Sequence, residues 1–264
     1  MRRPALLAVA HGSRDPRAPR AVRELLERVR ARRPGLDVRL GHIELNEPLL
    51  PDALAALRGD AVLVPLLLGR GYHVKHDLPR ALAGATHLRG LIAAPLGPHR
   101  LLATALHARL TEAGWPAAPD TGPGGPAVVL AAAGSRDPDS AADTARTAAL
   151  LGVRLGGVPV LPAYASAAAP TVAEAVAALT ARGHRRIAVA SYFTAPGRFA
   201  AQTSAAAPWI AAAPLGAHDA MAELVLHRYD EALRYDETLL RADARRRGRS
   251  PRAPAARPPV ARPV

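Results

Sequence analysis

The chain has no cysteine among its 264 residues. Disulfides, thiolate metal ligands and cysteine nucleophiles are thereby excluded, and composition says nothing of the redox compartment. Aromatic residues make up only 3%, too few for the stacking platforms that hold single-stranded nucleic acid. Lys75 is the single lysine, so nearly all positive charge is arginine. No stretch approaches the ~20 apolar residues of a membrane-spanning helix, and no membrane partner is expected. The opening Met1-Arg2-Arg3, an apolar run and Ala8-Val9-Ala10 imitate a secretory signal. A matching run recurs internally at Ala127–Ala132, so the first is read as a strand and the protein as cytoplasmic.

The excess is in positive charge, +13 overall. Eight arginines and one aspartate lie from Arg241 onward, so more than half of that excess belongs to the C-terminal end. Residues 244–264 are mostly Arg, Pro and Ala, present no apolar face, and read as a disordered, solvated tail rather than a nucleic-acid arm. With 49% apolar residues, the rest of the chain has ample material for a packed core.

His11-Gly12-Ser13-Arg14-Asp15-Pro16 returns as Ala133-Gly134-Ser135-Arg136-Asp137-Pro138, and Ala94-Pro95-Leu96-Gly97 returns as Ala213-Pro214-Leu215-Gly216. A repeat of this length marks a duplicated unit. The expected layout is an N-terminal domain over 1–115, a linker over 116–126, a C-terminal domain over 127–243 and the tail over 244–264, all acting as a monomer. Short apolar runs alternate with amphipathic stretches, the pattern of an α/β fold with parallel sheets covered by helices. Strands are expected over 5–10, 37–43, 61–67 and 91–94, then 127–132, 159–162, 187–191 and 210–213. Helices are expected over 19–32, 49–57, 76–82 and 99–112 in the first half, with a long last helix over 218–244.

Ligands gather outside the carboxyl ends of such strands. His11 follows the first strand, Glu44 ends the second and His73 lies just past the third, on a glycine-rich loop. The second half keeps the Gly-Ser-Arg-Asp-Pro turn without the histidine, so the turn does not need His11 for its shape. Aligned positions there carry Ala133, Ser166 and Arg198. Asp15 and Pro16 suit a helix N-cap and first helical residue, while His99 and His218 recur at helix starts and read as structural. By strand alternation His42 shares a face with Glu44, and one of the two is expected to position the other. Lys75 and His76 are either partners of an anionic substrate or a solvated helical turn, with His76 a fallback ligand for His73. Two imidazoles and a carboxylate suit Fe²⁺, Co²⁺, Ni²⁺ or Zn²⁺, with coordination positions left open.

Leu7-Ala8-Val9-Ala10-His11-Gly12-Ser13-Arg14, Glu44 with Glu47-Pro48, and Val64-Pro65-Leu66 leading to Gly71-Tyr72-His73-Val74 together resemble the sirohydrochlorin chelatases, the class II tetrapyrrole chelatases that insert cobalt or iron. The resemblance runs to about Tyr235. It implies two similar domains facing a central cleft, with His11, His73 and Glu44 as both metal-binding and catalytic residues. It implies a divalent metal substrate, Fe²⁺ favoured over Co²⁺, inserted into sirohydrochlorin without an organic cofactor or nucleotide. Ser13, Arg14, Tyr72, Lys75, Arg136 and Arg198 are the expected substrate contacts, the second half supplying contacts to carboxylates. Activity is expected to fall in acid, as imidazoles take up protons and release metal. A non-catalytic metal or tetrapyrrole carrier is the alternative of a different class.

Overall fold

The computed structural model describes residues 3–119, 122 and 124–247, with the side chains of the last helix described through 238. The first half forms a parallel sheet in the order β2-β1-β3-β4, from β1 (Ala5–Ala10), β2 (Val38–His42), β3 (Gly59–Pro65) and β4 (Leu88–Ile92). The second forms a parallel sheet in the order β6-β5-β7, from β5 (Ala127–Ala132), β6 (Val160–Tyr164) and β7 (Ile187–Ser191). The strand expected over 210–213 is absent. Only a single bridge, Val189 to Ala211, stands in its place, between Pro208 and Pro214, whose missing N–H groups limit ladder growth.

Every residue of β1 and β5 is buried, which explains why both read as unbroken apolar runs rather than alternating ones. Alternate side chains serve different cores. Leu6 and Ala8 join Val128 and Leu130 in one large core shared by both halves, whereas Leu7 and Val9, like Val129 and Ala131, pack outward under short helices.

The helices are α1 (Arg17–Arg32), α2 (Leu50–Ala55), α3 (Leu78–Gly84), α4 (Arg100–Glu112), α5 (Pro138–Arg154), α6 (Val172–Ala181), α7 (Arg198–Ser204) and α8 (Asp219–Arg247). Two of them cross between halves. From the first half, α4 packs on α5 and β7, while α8 packs on α1, β3 and β4. Polar contacts fasten α8 there: Tyr229 donates to the Pro4 carbonyl at 2.6 Å, and the Arg33 guanidinium holds Asp230 at 2.8 Å. The halves are thus interlocked by exchanged helices, which strand-and-helix alternation alone does not reveal. The expected tail falls largely outside the described residues, except that 244–247 continue α8.

Three local expectations change. The α1 helix begins at Arg17, with Pro16 before it; the Asp15 carboxylate still accepts the Arg17 N–H, at 2.9 Å. The segment His73–Asp77 is a π-helical turn leading into α3, so His73 is not on an open loop. His42 is buried with its ring against the Pro48 carbonyl at 3.3 Å, so it braces the chain after β2 and has no bond to Glu44. His99 and His218 do cap helices: the Nδ1 of each accepts a backbone N–H, from Leu101 at 3.2 Å and from Ala220 at 3.0 Å.

Candidate metal and substrate site

The carboxyl ends of β1, β2 and β3 deliver His11, Glu44 and His73 to the wall of one cavity of about 920 Å³. Residues from both halves line it. The His11 and His73 rings meet edge to face with centroids 4.8 Å apart, and His11 Nδ1 stands 3.4 Å from Glu44 Oε1. His73 Nδ1 faces the Asp77 carboxylate at 2.6 Å. In a neutral ring, a carboxylate there favours the tautomer with the proton on Nδ1 and the lone pair on Nε2, the arrangement that orients metal-binding imidazoles. Among the described residues, no three His, Asp or Glu side chains are grouped so as to hold a metal by themselves. The site is a histidine pair beside an acid, short of a closed cage.

The turn that carries His11 has a backbone reason for its glycine. Gly12 has φ +103°, and a Cβ on it would lie 1.8 Å from the Glu44 carbonyl oxygen. Gly134 repeats this against Ser166. Only a glycine lets the β1 turn close on the β2 end, which brings the neighbouring His11 and Glu44 side chains together.

The other expected contacts divide. Ser13, Arg14, Tyr72 and Arg198 line the cavity; Lys75 and Arg136 do not. The Ser13 hydroxyl accepts the Asp15 N–H at 3.1 Å, a turn bond that Ser135 makes to Asp137 at the same length. Lys75 is taken up by Asp137 at 2.7 Å and Asp139 at 2.9 Å from its Nζ, and these carboxylates raise its pKa further. It is therefore not free for a substrate, because its charge is already matched across the two halves.

The aligned position for His73 also changes. Leu7 pairs with Leu63 as Val129 pairs with Val189, and the Leu66 and Tyr192 N–H groups make equivalent bonds to Val9 and Ala131. Continuing that register sets Tyr72 against Arg198 and His73 against Phe199. The guanidinium of Arg198 lies over the Phe199 ring, 4.8 Å from its centroid.

Residue counts alone held a signal that motif reading passes over. Phe193 and Phe199 are the only phenylalanines in the chain, and both line the cavity. Leu45, at φ +68° and half exposed, lines it beside Glu44. Asn46, whose side-chain oxygen accepts the Ser13 N–H at 2.7 Å, gives no such signal in the sequence. Nor does Asp143, buried behind the His73 turn.

Comparison with known proteins adds to this geometry. The CbiX family model matches residues 5–113 and again 127–232. A sirohydrochlorin cobaltochelatase of Methanosarcina barkeri is 30% identical over 123 residues, which are 41% of this chain and 95% of that protein. A sirohydrochlorin ferrochelatase of Bacillus subtilis is 29% identical over 178 residues, 64% of this chain and 66% of that protein. The structure of SirB from Bacillus subtilis with Fe³⁺ superposes with a TM-score of 0.71 at 24% identity, covering 89% of this chain and 98% of that one. At that identity the likeness concerns the fold.

Proposed function

The chain belongs to the CbiX family, and from that membership and its cavity we propose that it is a sirohydrochlorin chelatase, a lyase that inserts a divalent metal into the tetrapyrrole. The observation that carries the reading is the meeting of His11, Glu44 and His73 on the wall of a cavity to which both halves contribute. The metal is a substrate. An unclosed ligand set suits an ion that must be handed on, since a full cage would hold it.

Insertion replaces two pyrrole N–H protons by metal–nitrogen bonds. With Nδ1 of His73 bonded to Asp77, its Nε2 offers a lone pair to the ion. His11 beside Glu44 supplies the second imidazole, and as the ion passes to the ring the freed lone pair of each imidazole accepts one of the two departing pyrrole protons. Phe193, Phe199 and Leu45 give apolar surface for the flat ring, while Arg14 and Arg198 answer its carboxylates with charge-assisted hydrogen bonds. No organic cofactor enters this scheme, and the enzyme acts as a cytoplasmic monomer.

Fe²⁺ is the favoured ion, supported by the ferrochelatase relative, whose similarity extends over more than one half. Co²⁺ is the second reading, supported by the cobaltochelatase relative, almost all of whose length aligns with less than half of this chain. Purified protein is mixed with sirohydrochlorin and either ion, and absorbance is followed against the spontaneous rate. Acceleration with one ion assigns the metal; none with either ion sinks the proposal and favours a carrier. His11→Ala and His73→Ala should each lose most of the rate, with the fold intact because Ala133 already occupies the equivalent turn.

A further inference from the structure

The turn that carries His73 is bolted to the opposite half of the molecule, on one side of the pseudo-symmetry only. Asp143, on α5, is fully buried and accepts three hydrogen bonds from Arg70: from the backbone N–H at 3.0 Å, Nε at 3.0 Å and Nη2 at 2.8 Å. Burial by itself would raise the Asp143 carboxyl, but the bonds from Arg70 outweigh it and keep the group ionised. On the far side of His73, Lys75 spans Asp137 and Asp139 at the start of α5. The Tyr192 hydroxyl donates to the Leu68 carbonyl at 2.9 Å, just before the same segment.

The two halves provide an internal comparison. Both place a loop glycine near the opposing serine: a Cβ on Gly71 would lie 3.8 Å from Ser135 Oγ, and one on Gly197 would lie 3.6 Å from Ser13 Oγ. The close approach is therefore common to both sides. The ionic clamp is not. In the established register the counterparts of Arg70 and Lys75 are Pro196 and Ala201, and that of Asp143 is Ala21. Asp15, the counterpart of Asp137, is bound by Arg17 of its own helix. The clamp thus exists where the turn bears His73 and is missing where the equivalent position bears Phe199.

We propose that Asp143, through Arg70, is a positioning residue for His73: the half without metal histidines holds the metal-bearing turn in place. A bidentate guanidinium–carboxylate pair fixes direction as well as distance. Burial of the carboxylate restricts the rotamers through which the pair could drift. Arg70 is three residues from His73, so a tilt of the loop there carries the imidazole away from His11.

This rests on the reading of His73 as a metal-binding residue, and the test separates the two. Removing one partner would strand a buried charge, so the main variant replaces both, Arg70→Met with Asp143→Leu, a change that commonly leaves stability intact. Lys75→Ala, at an exposed pair, is the second variant. Co²⁺ binding is followed by its visible absorption in full-length protein, alongside kcat, KM for sirohydrochlorin and thermal unfolding. The clamp predicts that the double variant binds Co²⁺ about tenfold more weakly, as loss of a ligand-orienting contact does, with an altered band shape, lowered kcat, unchanged KM and near-native unfolding. Lys75→Ala should shift the same quantities in the same direction, by less. Wild-type Co²⁺ spectra and kcat in both variants, with His73→Ala losing the signal, would overturn the clamp and leave the metal site standing. Full Co²⁺ binding by His73→Ala would overturn the metal reading and the clamp with it. If the double variant fails to fold, Lys75→Ala decides alone.

Discussion

Gly12 lies directly against the carbonyl oxygen of Glu44, where a Cβ would come within 1.8 Å of it. The φ of +103° at Gly12 adds a conformational cost for any other residue. Gly12→Ala should therefore destabilise the protein by about 1–3 kcal/mol and part His11 from Glu44, lowering metal insertion severalfold. Gly134→Ala makes the same clash with Ser166 and should cost similar stability with a smaller loss of activity. Denaturant midpoints and insertion rates on both variants check this; equal activity loss in the two would separate the turn from the metal site.

Arg198 lines the cavity and, among the described residues, forms no salt bridge; its guanidinium lies over the face of Phe199. Arg198→Ala should raise KM for sirohydrochlorin, with Co²⁺ affinity of the free protein preserved. A weakened Co²⁺ affinity at unchanged KM would assign the residue to the wrong ligand.

Acid should weaken the fold before it protonates the carboxylates. Burial lowers the pKa of His42, His99, His107 and His218 below their usual 6.5. Below 6.5 the unfolded chain binds more protons than the folded one, so stability falls with pH until the folded values are passed. For His99 and His218 protonation also removes the Nδ1 acceptor that caps α4 and α8. A second loss follows in stronger acid. Asp143 and Asp230 have folded pKa values held below 3.8, so their contribution is complete above 3.8 and disappears on passing down through those folded values. Urea midpoints at pH 7.5, 6 and 5 should decline in order; a flat series over that range would contradict the buried-histidine account.

The crossed helices predict that neither half is stable alone. Deleting α8 uncovers the apolar face of α1 and removes the Tyr229–Pro4 and Arg33–Asp230 contacts. A chain ending at residue 217 should lose cooperative unfolding and expose apolar surface to a dye, as should residues 3–119 expressed separately. Native-like cooperativity in the isolated N-terminal half would mean that α8 is an accessory.

The sequence by itself determined the duplication, the parallel α/β halves and the turn at His11, because apolar runs, turn residues and repeat spacing act over a few neighbours at a time. It also put His11, Glu44 and His73 at the same sheet edge, since each follows a strand of one parallel set. The apolar run over 210–213 reads as a fourth strand of the second half but forms only one bridge, because such a run does not record how far Pro208 and Pro214 cut its ladder. The true counterpart of His73, the exchange of α4 and α8, and the partners of Arg70 and Lys75 were decided only by the tertiary structure. Each depends on which distant surfaces pack together. The charge of Lys75 looks equally ready for a substrate or for solvent until the fold sets Asp137 and Asp139 against it.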